Sequence, residues 1–128
     1  MNEKKVSILL VDDTAYNIMI LEEFLDADYK LSSAVDGEQA WLLLENNPND
    51  FDIVLLDWIM PKMDGIEVLK RIRAHSELKH IKVIMQTTNG MKDKIQQAMD
   101  TGADDFIIKP YNEQDIINSI ESAVKKLS

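Results

Sequence analysis

Five residues spread along the chain could act together on one chemistry: the acids Asp12, Asp13 and Asp57, the hydroxyl of Thr87 and the ammonium of Lys109. Three carboxylates held close repel one another and raise each other's pKa, so such a cluster calls for a cation or for water. Hard oxygen donors with few protein contacts suit magnesium, which keeps several of its own waters. A lysine beside them adds a fixed positive charge. Each residue also has an ordinary reading. Asp12 or Asp13 serves as a helix cap, Thr87 as a strand-end hydroxyl, Lys109 as a surface lysine, and Asp57 as a turn acid. Only their joint placement sets them apart.

That placement follows from the elements that carry them. Asp57 ends an unbroken apolar run, Ile53 to Leu56, of the kind that forms a strand covered on both faces. Val6 to Val11 is a similar run and leads into Asp12-Asp13-Thr14, where a first helix begins with Asp or Thr as N-cap. Tyr29 to Val35 reads as a more polar edge strand, and Glu38 to Asn46 as a helix whose Trp41 and Leu42 to Leu44 pack in the core. Asp64, with Glu67 three residues on, starts a third helix in a capping-box pattern. Ile81 to Met85 is a fourth strand running into Gln86-Thr87-Thr88. Asn89-Gly90 then loosens the chain before a polar fourth helix, roughly Lys92 to Thr101, resting on Ile95, Ala98 and Met99 and closed by Gly102. Phe106 to Ile108 is a short fifth strand ending at Lys109-Pro110. Asn112 caps a last helix from Glu113 to about Leu127.

Five β-α units in alternation imply a parallel sheet with helices on both faces, joined by right-handed crossovers. The most polar strands, two and five, belong at the edges. This agrees with an α/β, flavodoxin-like, doubly wound five-stranded sheet in the order 2-1-3-4-5 with five helices. In that order all five chemical residues meet at one rim, at the strands' carboxyl ends, where open α/β sheets bind their ligands.

The 128 residues suit one domain, read as spanning residues 1–128. A net charge of −9 argues against binding nucleic acid or an anionic membrane through bulk charge, and favours a basic partner surface or a divalent cation. Without cysteine there is no disulfide framework, thiolate zinc site or cysteine nucleophile, which suits a cytoplasmic protein. No stretch approaches the roughly 18 apolar residues of a membrane span.

The motifs ILLVDD, VLLDWIMPKMDG, the Thr87 position and GADDFIIKP together resemble the receiver domain of bacterial two-component response regulators, over nearly the whole chain. The resemblance implies that Asp57 accepts a phosphoryl group from a histidine kinase phosphohistidine. Asp12, Asp13, Asp57 and the backbone carbonyl of Ile59 would hold Mg2+, one of the first two acids through water. Lys109 would pair with Asp57 and then with the phosphoryl oxygens. Thr87 would bond the phosphoryl group, Phe106 would be the switch aromatic, and the Lys109-Pro110 bond would be cis. Implied partners are a sensor histidine kinase or phosphotransfer protein and a downstream target or fused output domain, with the chain a monomer or a phosphorylation-dependent dimer. Only Ser128 follows the last helix, which fits a stand-alone receiver or one excised from a longer regulator.

Three positions depart from the family's pattern. Thr88 follows Thr87 where a smaller residue is common, which narrows phosphoryl access. Phe106 lacks the hydroxyl of a tyrosine. Ile59, flanking with Asn89 the path of an attacking water, offers that water no hydrogen bond, so loss of the phosphoryl group should be slow. Two other readings share the fold. A flavin carrier needs a phosphate-cradling loop where Asp12-Asp13 stands. An aspartate-dependent phosphohydrolase needs a second acid where Ile59 stands. His75 and His80 lie away from the acid rim, and the methionines read as core filler, with Met91 a possible partner contact.

Overall fold

A strand with no polar alternation must be covered on both sides, and the central strands meet that demand. The computed structural model describes residues 5–88 and 93–127. Within them, β1 (Ser7–Val11) and β3 (Ile53–Asp57) are buried along their whole length. They are flanked by β2 (Lys30–Ala34), β4 (Lys82–Thr87) and β5 (Asp105–Ile108) in a parallel sheet of order β2-β1-β3-β4-β5, the order expected. Successive residues of each strand point to opposite faces. Leu9, Val11, Val54, Leu56, Val83 and Met85 therefore pack on one side. That side is closed by α2 (Gly37–Asn46), α3 (Gly65–Ala74) and α4 (Ile95–Thr101). Ile8, Leu10, Ile53, Leu55 and Ile84 pack on the other, under α1 (Ala15–Leu25) and α5 (Glu113–Lys125).

Side-chain caps fix where three helices begin. Asp36, Asp64 and Asn112 accept from the backbone N–H of Gln39 (2.7 Å), Glu67 (3.1 Å) and Asp115 (3.2 Å). The box expected at Asp64 is half formed, because the Glu67 carboxylate takes Arg71 Nε at 3.0 Å, one turn along the helix. Thr14 stands at the N-cap of α1 without a side-chain cap bond. Of the two acids before it, Asp12 is buried and Asp13 is exposed.

Several expectations are corrected. Leu42 is 51% exposed: α2 buries Gly37, Ala40 and Leu44, and a helix cannot turn three consecutive leucines toward one core. Met19 and Met99 are exposed rather than core filler, whereas Met60 and Met85 are buried. Ala98 is the one buried residue of α4, so that helix rests on less than the trio Ile95, Ala98 and Met99. β2 is shorter than expected, with Val35 exposed. The expectations for Asn89, Gly90, Met91, Lys92 and Ser128 lie outside the described residues.

Gly102 ends α4 at φ 118°, a left-handed conformation that favours glycine. Arg73 of α3 clamps this corner, donating to the carbonyls of Gly102 (2.8 Å) and Ile81 (2.7 Å) and to the Asp104 carboxylate (2.8 Å). Gly37 presses α2 onto the loop that follows β3, since a Cβ there would lie 1.9 Å from the Met63 carbonyl oxygen. Gly37→Ala should therefore cost about 1–3 kcal/mol of unfolding free energy through overpacking. Urea denaturation checks this, and an unchanged midpoint would contradict the contact.

Candidate functional site

The carboxyl ends of four strands build the site. Asp12 follows β1 and is fully buried; Asp57 ends β3 and is 7% exposed; Thr87 ends β4 and is 1% exposed. Lys109 follows β5, its N–H bonded to the Thr87 carbonyl at 2.7 Å. Register places Asp57 beside Gln86, one residue before Thr87. Asp13 is exposed at the rim. One oxygen from each of Asp12, Asp13 and Asp57 lies within 4.8 Å of the others. The Lys109 ammonium stands between two of these acids, 3.0 Å from Asp12 Oδ2 and 3.1 Å from Asp57 Oδ1.

Electrostatics follow from burial. Loss of water raises the Asp57 carboxyl to about 6; Lys109 opposes that rise, while Asp12 and Asp13 add to it. Burial also works against the Lys109 charge, but the bonds and charges of Asp12 and Asp57 outweigh it, and its pKa is raised. Thr87 Oγ1 is buried and finds no hydrogen-bond partner among the described residues. A buried hydroxyl in that state costs about 1–3 kcal/mol, which an incoming acceptor would recover.

The other expected residues fall as follows. Ile59 sits in the loop after Asp57 with its side chain 65% exposed. Phe106 is half-buried in β5 against the α2–α4 side of the sheet. The Lys109-Pro110 bond is cis. His75 lies edge-on to Trp41, with ring centroids 6.0 Å apart, and His80 stands 3.3 Å from the Phe51 carbonyl; neither joins the acids.

Three residues of the site escaped the sequence reading. Asn17 donates to Asp12, with its amide nitrogen 3.2 Å from Oδ2, and the Tyr111 hydroxyl donates to the same oxygen at 3.1 Å. Tyr111 also donates to Gln86 Oε1. Burial first, and then Asp12, push the Tyr111 pKa upward, so its hydroxyl keeps its proton and acts as a donor. One signal was available: Gln86 follows the apolar Val83, Ile84 and Met85 within β4, and a buried amide demands a partner.

A parallel sheet of this order, with an acidic cleft and one lysine at its carboxyl rim, defines a class, and comparison with known proteins names it. Residues 8–121 match the model of the response regulator receiver domain. Chemotaxis protein CheY-3 of Vibrio cholerae is 35% identical over 126 residues, covering 97% of this chain and 95% of the relative. Chemotaxis protein CheY of Pseudomonas aeruginosa is 32% identical over 125 residues, covering 96% and 99%. The solved structure of V. cholerae chemotaxis protein CheY4 superposes with a TM-score of 0.84 at 28% identity, covering 93% of this chain and 98% of that one. A receiver domain protein from Clostridium thermocellum gives 0.87 at 28%, covering 94% and 95%.

The chain belongs to the response regulator receiver domain family. It is a phosphorylation switch of two-component signalling, a phosphoacceptor rather than a turnover enzyme. Membership sets aside the flavin-carrier and phosphohydrolase readings. The acidic triad is typical of a receiver magnesium site, and receivers in general work between a phosphodonor and a downstream partner. Among the described residues no helix is long and apolar enough to cross a membrane.

The raised Asp57 carboxyl has a consequence for stability. Its folded pKa, about 6, stands above the ordinary 3.8, so ionised Asp57 works against the fold. In metal-free protein its favourable contribution is fully present below about pH 4 and is lost as pH rises through about 6. Asp57→Asn should remove that slope and be more stable at pH 7 in EDTA by about 1–3 kcal/mol. Thermal melts of both proteins across this pH range check the sign; a variant no more stable at pH 7 would contradict it.

Proposed function

We propose that Asp57 is the phosphoacceptor of this receiver, charged by the phosphohistidine of a sensor kinase or phosphotransfer protein in the cytoplasm. A carboxylate oxygen of Asp57 attacks phosphorus, the bond to the histidine nitrogen breaks, and an acyl phosphate forms while the departing imidazole takes a proton. The observation that carries this reading is the Lys109 ammonium bridging Asp12 and Asp57. One unit charge pair near 4 Å is worth about 4 kcal/mol at an effective dielectric of 20. Lys109 thus keeps a buried carboxylate ionised and is placed to meet the oxygens that arrive on it.

The donor set fits magnesium: three carboxylates with converging oxygens, one of them exposed. Asp12 already accepts from Thr14, Asn17, Lys109 and Tyr111, which favours Asp13, Asp57 and the Ile59 carbonyl as direct ligands and Asp12 through water. When bound, the ion neutralises phosphoryl charge.

Readout follows from Thr87. Its buried hydroxyl, without a partner among the described residues, would bond a phosphoryl oxygen, and Phe106 would move by packing into the space released. α4, held by one buried alanine, would adjust with β5 and α5, changing the surface shown to a target or output domain. Carrying such an equilibrium from 1:99 to 99:1 takes about 5.5 kcal/mol of differential stabilisation. The Thr87 and Lys109 contacts to the phosphoryl group are the sources of that difference.

Incubation with magnesium and a small acyl phosphate, followed by intact mass, should show one phosphoryl adduct that Asp57→Asn abolishes. An adduct that persists in Asp57→Asn, or none with any donor, would contradict the assignment. Exposed, apolar Ile59 offers nothing to orient an attacking water, so the adduct should outlast a time course of seconds. Complete decay within seconds would overturn that expectation.

A further inference from the structure

Asp12 is fully buried, and the ammonium beside it is shared with Asp57. Lys109 Nζ divides itself almost evenly between Asp12 and Asp57. Phosphorylation, on the reading above, asks that ammonium to serve the oxygens gathering on Asp57. A buried carboxylate stripped of donors would hold it back. The other donors to Asp12 are neutral: the Thr14 N–H at 2.9 Å, the Asn17 amide, and the Tyr111 hydroxyl, which reaches the same Oδ2 atom as Lys109.

The hydroxyl is held where it is needed. Tyr111 lies two residues beyond Lys109, in the turn before α5, and its oxygen also contacts Gln86 Oε1. Gln86 is fully buried in β4, with its amide nitrogen 3.5 Å from the Val11 carbonyl, next to Asp12. The one hydroxyl proton is shared between Asp12 Oδ2 and Gln86 Oε1 in a bifurcated bond. Gln86 therefore acts as a seat for the tyrosine oxygen, fixing its approach to Asp12.

We propose that Tyr111, seated by Gln86, is a positioning residue of the phosphorylation site: its hydroxyl satisfies Asp12 so that Lys109 is released to Asp57. This inference rests on the phosphoacceptor reading, and its two consequences have opposite signs. Without the hydroxyl, Asp12 draws Lys109 away from Asp57, and phosphorylation slows. The same loss changes no formal charge, but Asp12 loses a donor and Asp57 loses its share of Lys109, so magnesium binds more tightly. A role in folding alone would loosen the site and weaken both.

The test uses Tyr111→Phe and the double variant Q86L/Y111F. Removing both polar partners together avoids leaving Gln86 unsatisfied, so the double variant should regain thermal stability lost in the single one. Phosphorylation by acetyl phosphate at saturating magnesium should fall about tenfold in both variants, the scale of a lost bond to a charged group. Magnesium titration without phosphodonor, followed by fluorescence of buried Trp58, should show half-saturation at about threefold lower concentration. Three results would each overturn the proposal: a rate within about twofold of the parent in Tyr111→Phe, magnesium binding unchanged or weakened, or a rate that recovers with stability in the double variant. If the parent itself takes no phosphoryl group, the phosphoacceptor reading fails, and the magnesium titration still judges Tyr111.

Discussion

One ammonium shared by two buried carboxylates is the constraint around which this protein is arranged. Lys109 opposes the rise that burial forces on the Asp57 carboxyl, and its bonds to Asp12 and Asp57 outweigh the burial that works against its own charge. The three come from different strands and from positions as far apart as 12 and 109. They meet only because strands 1 and 3 are neighbours and β5 closes the edge beyond β4. The residual strain is chemical: Asp57 is held at a pKa well above that of a free aspartate, and Thr87 keeps a buried hydroxyl without a partner among the described residues. On the proposed reading, both would be relieved by an incoming group that brings its own oxygens and attracts a cation. The fold is rigid where it holds that arrangement and thin where it must respond.

The division between rigid and thin is visible in the packing. The strands that carry Asp12 and Asp57 are buried from end to end, and the loop after Asp57 is pinned by Gly37 and Gly65, each too close to backbone to bear a side chain. α4 buries a single alanine, and its far end is fixed by the Arg73 clamp at Gly102. A helix so lightly packed along its length can shift at low cost, which is what a surface that reports phosphorylation requires.

Much of this was legible in the residues themselves. Unbroken apolar runs marked the central strands and polar ones the edges, in agreement with the flavodoxin-like order, and in that order Asp12, Asp13, Asp57, Thr87 and Lys109 meet at one rim. Caps at Asp64 and Asn112 were readable because a short side chain meets a helix N-terminus locally. What stayed hidden depended on direction or distance. Leu42 was misplaced because a run of leucines does not say which of them faces inward. Tyr111 and Gln86 were missed because 25 positions separate them and their bond exists only once β4 and the turn before α5 are side by side. Asp12 was read as a cap or a metal ligand, while the structure shows it as the most heavily bonded acid of the site.

The central claim is that the phosphoryl group resides on Asp57 and no other acid of the cluster. Borohydride reduction of the phosphorylated chain, which converts an aspartyl phosphate to homoserine, followed by peptide sequencing, tests it most directly. The account predicts homoserine at position 57 alone. Homoserine at position 12 or 13, or a phosphoryl group that survives borohydride because it sits on another residue type, would contradict it.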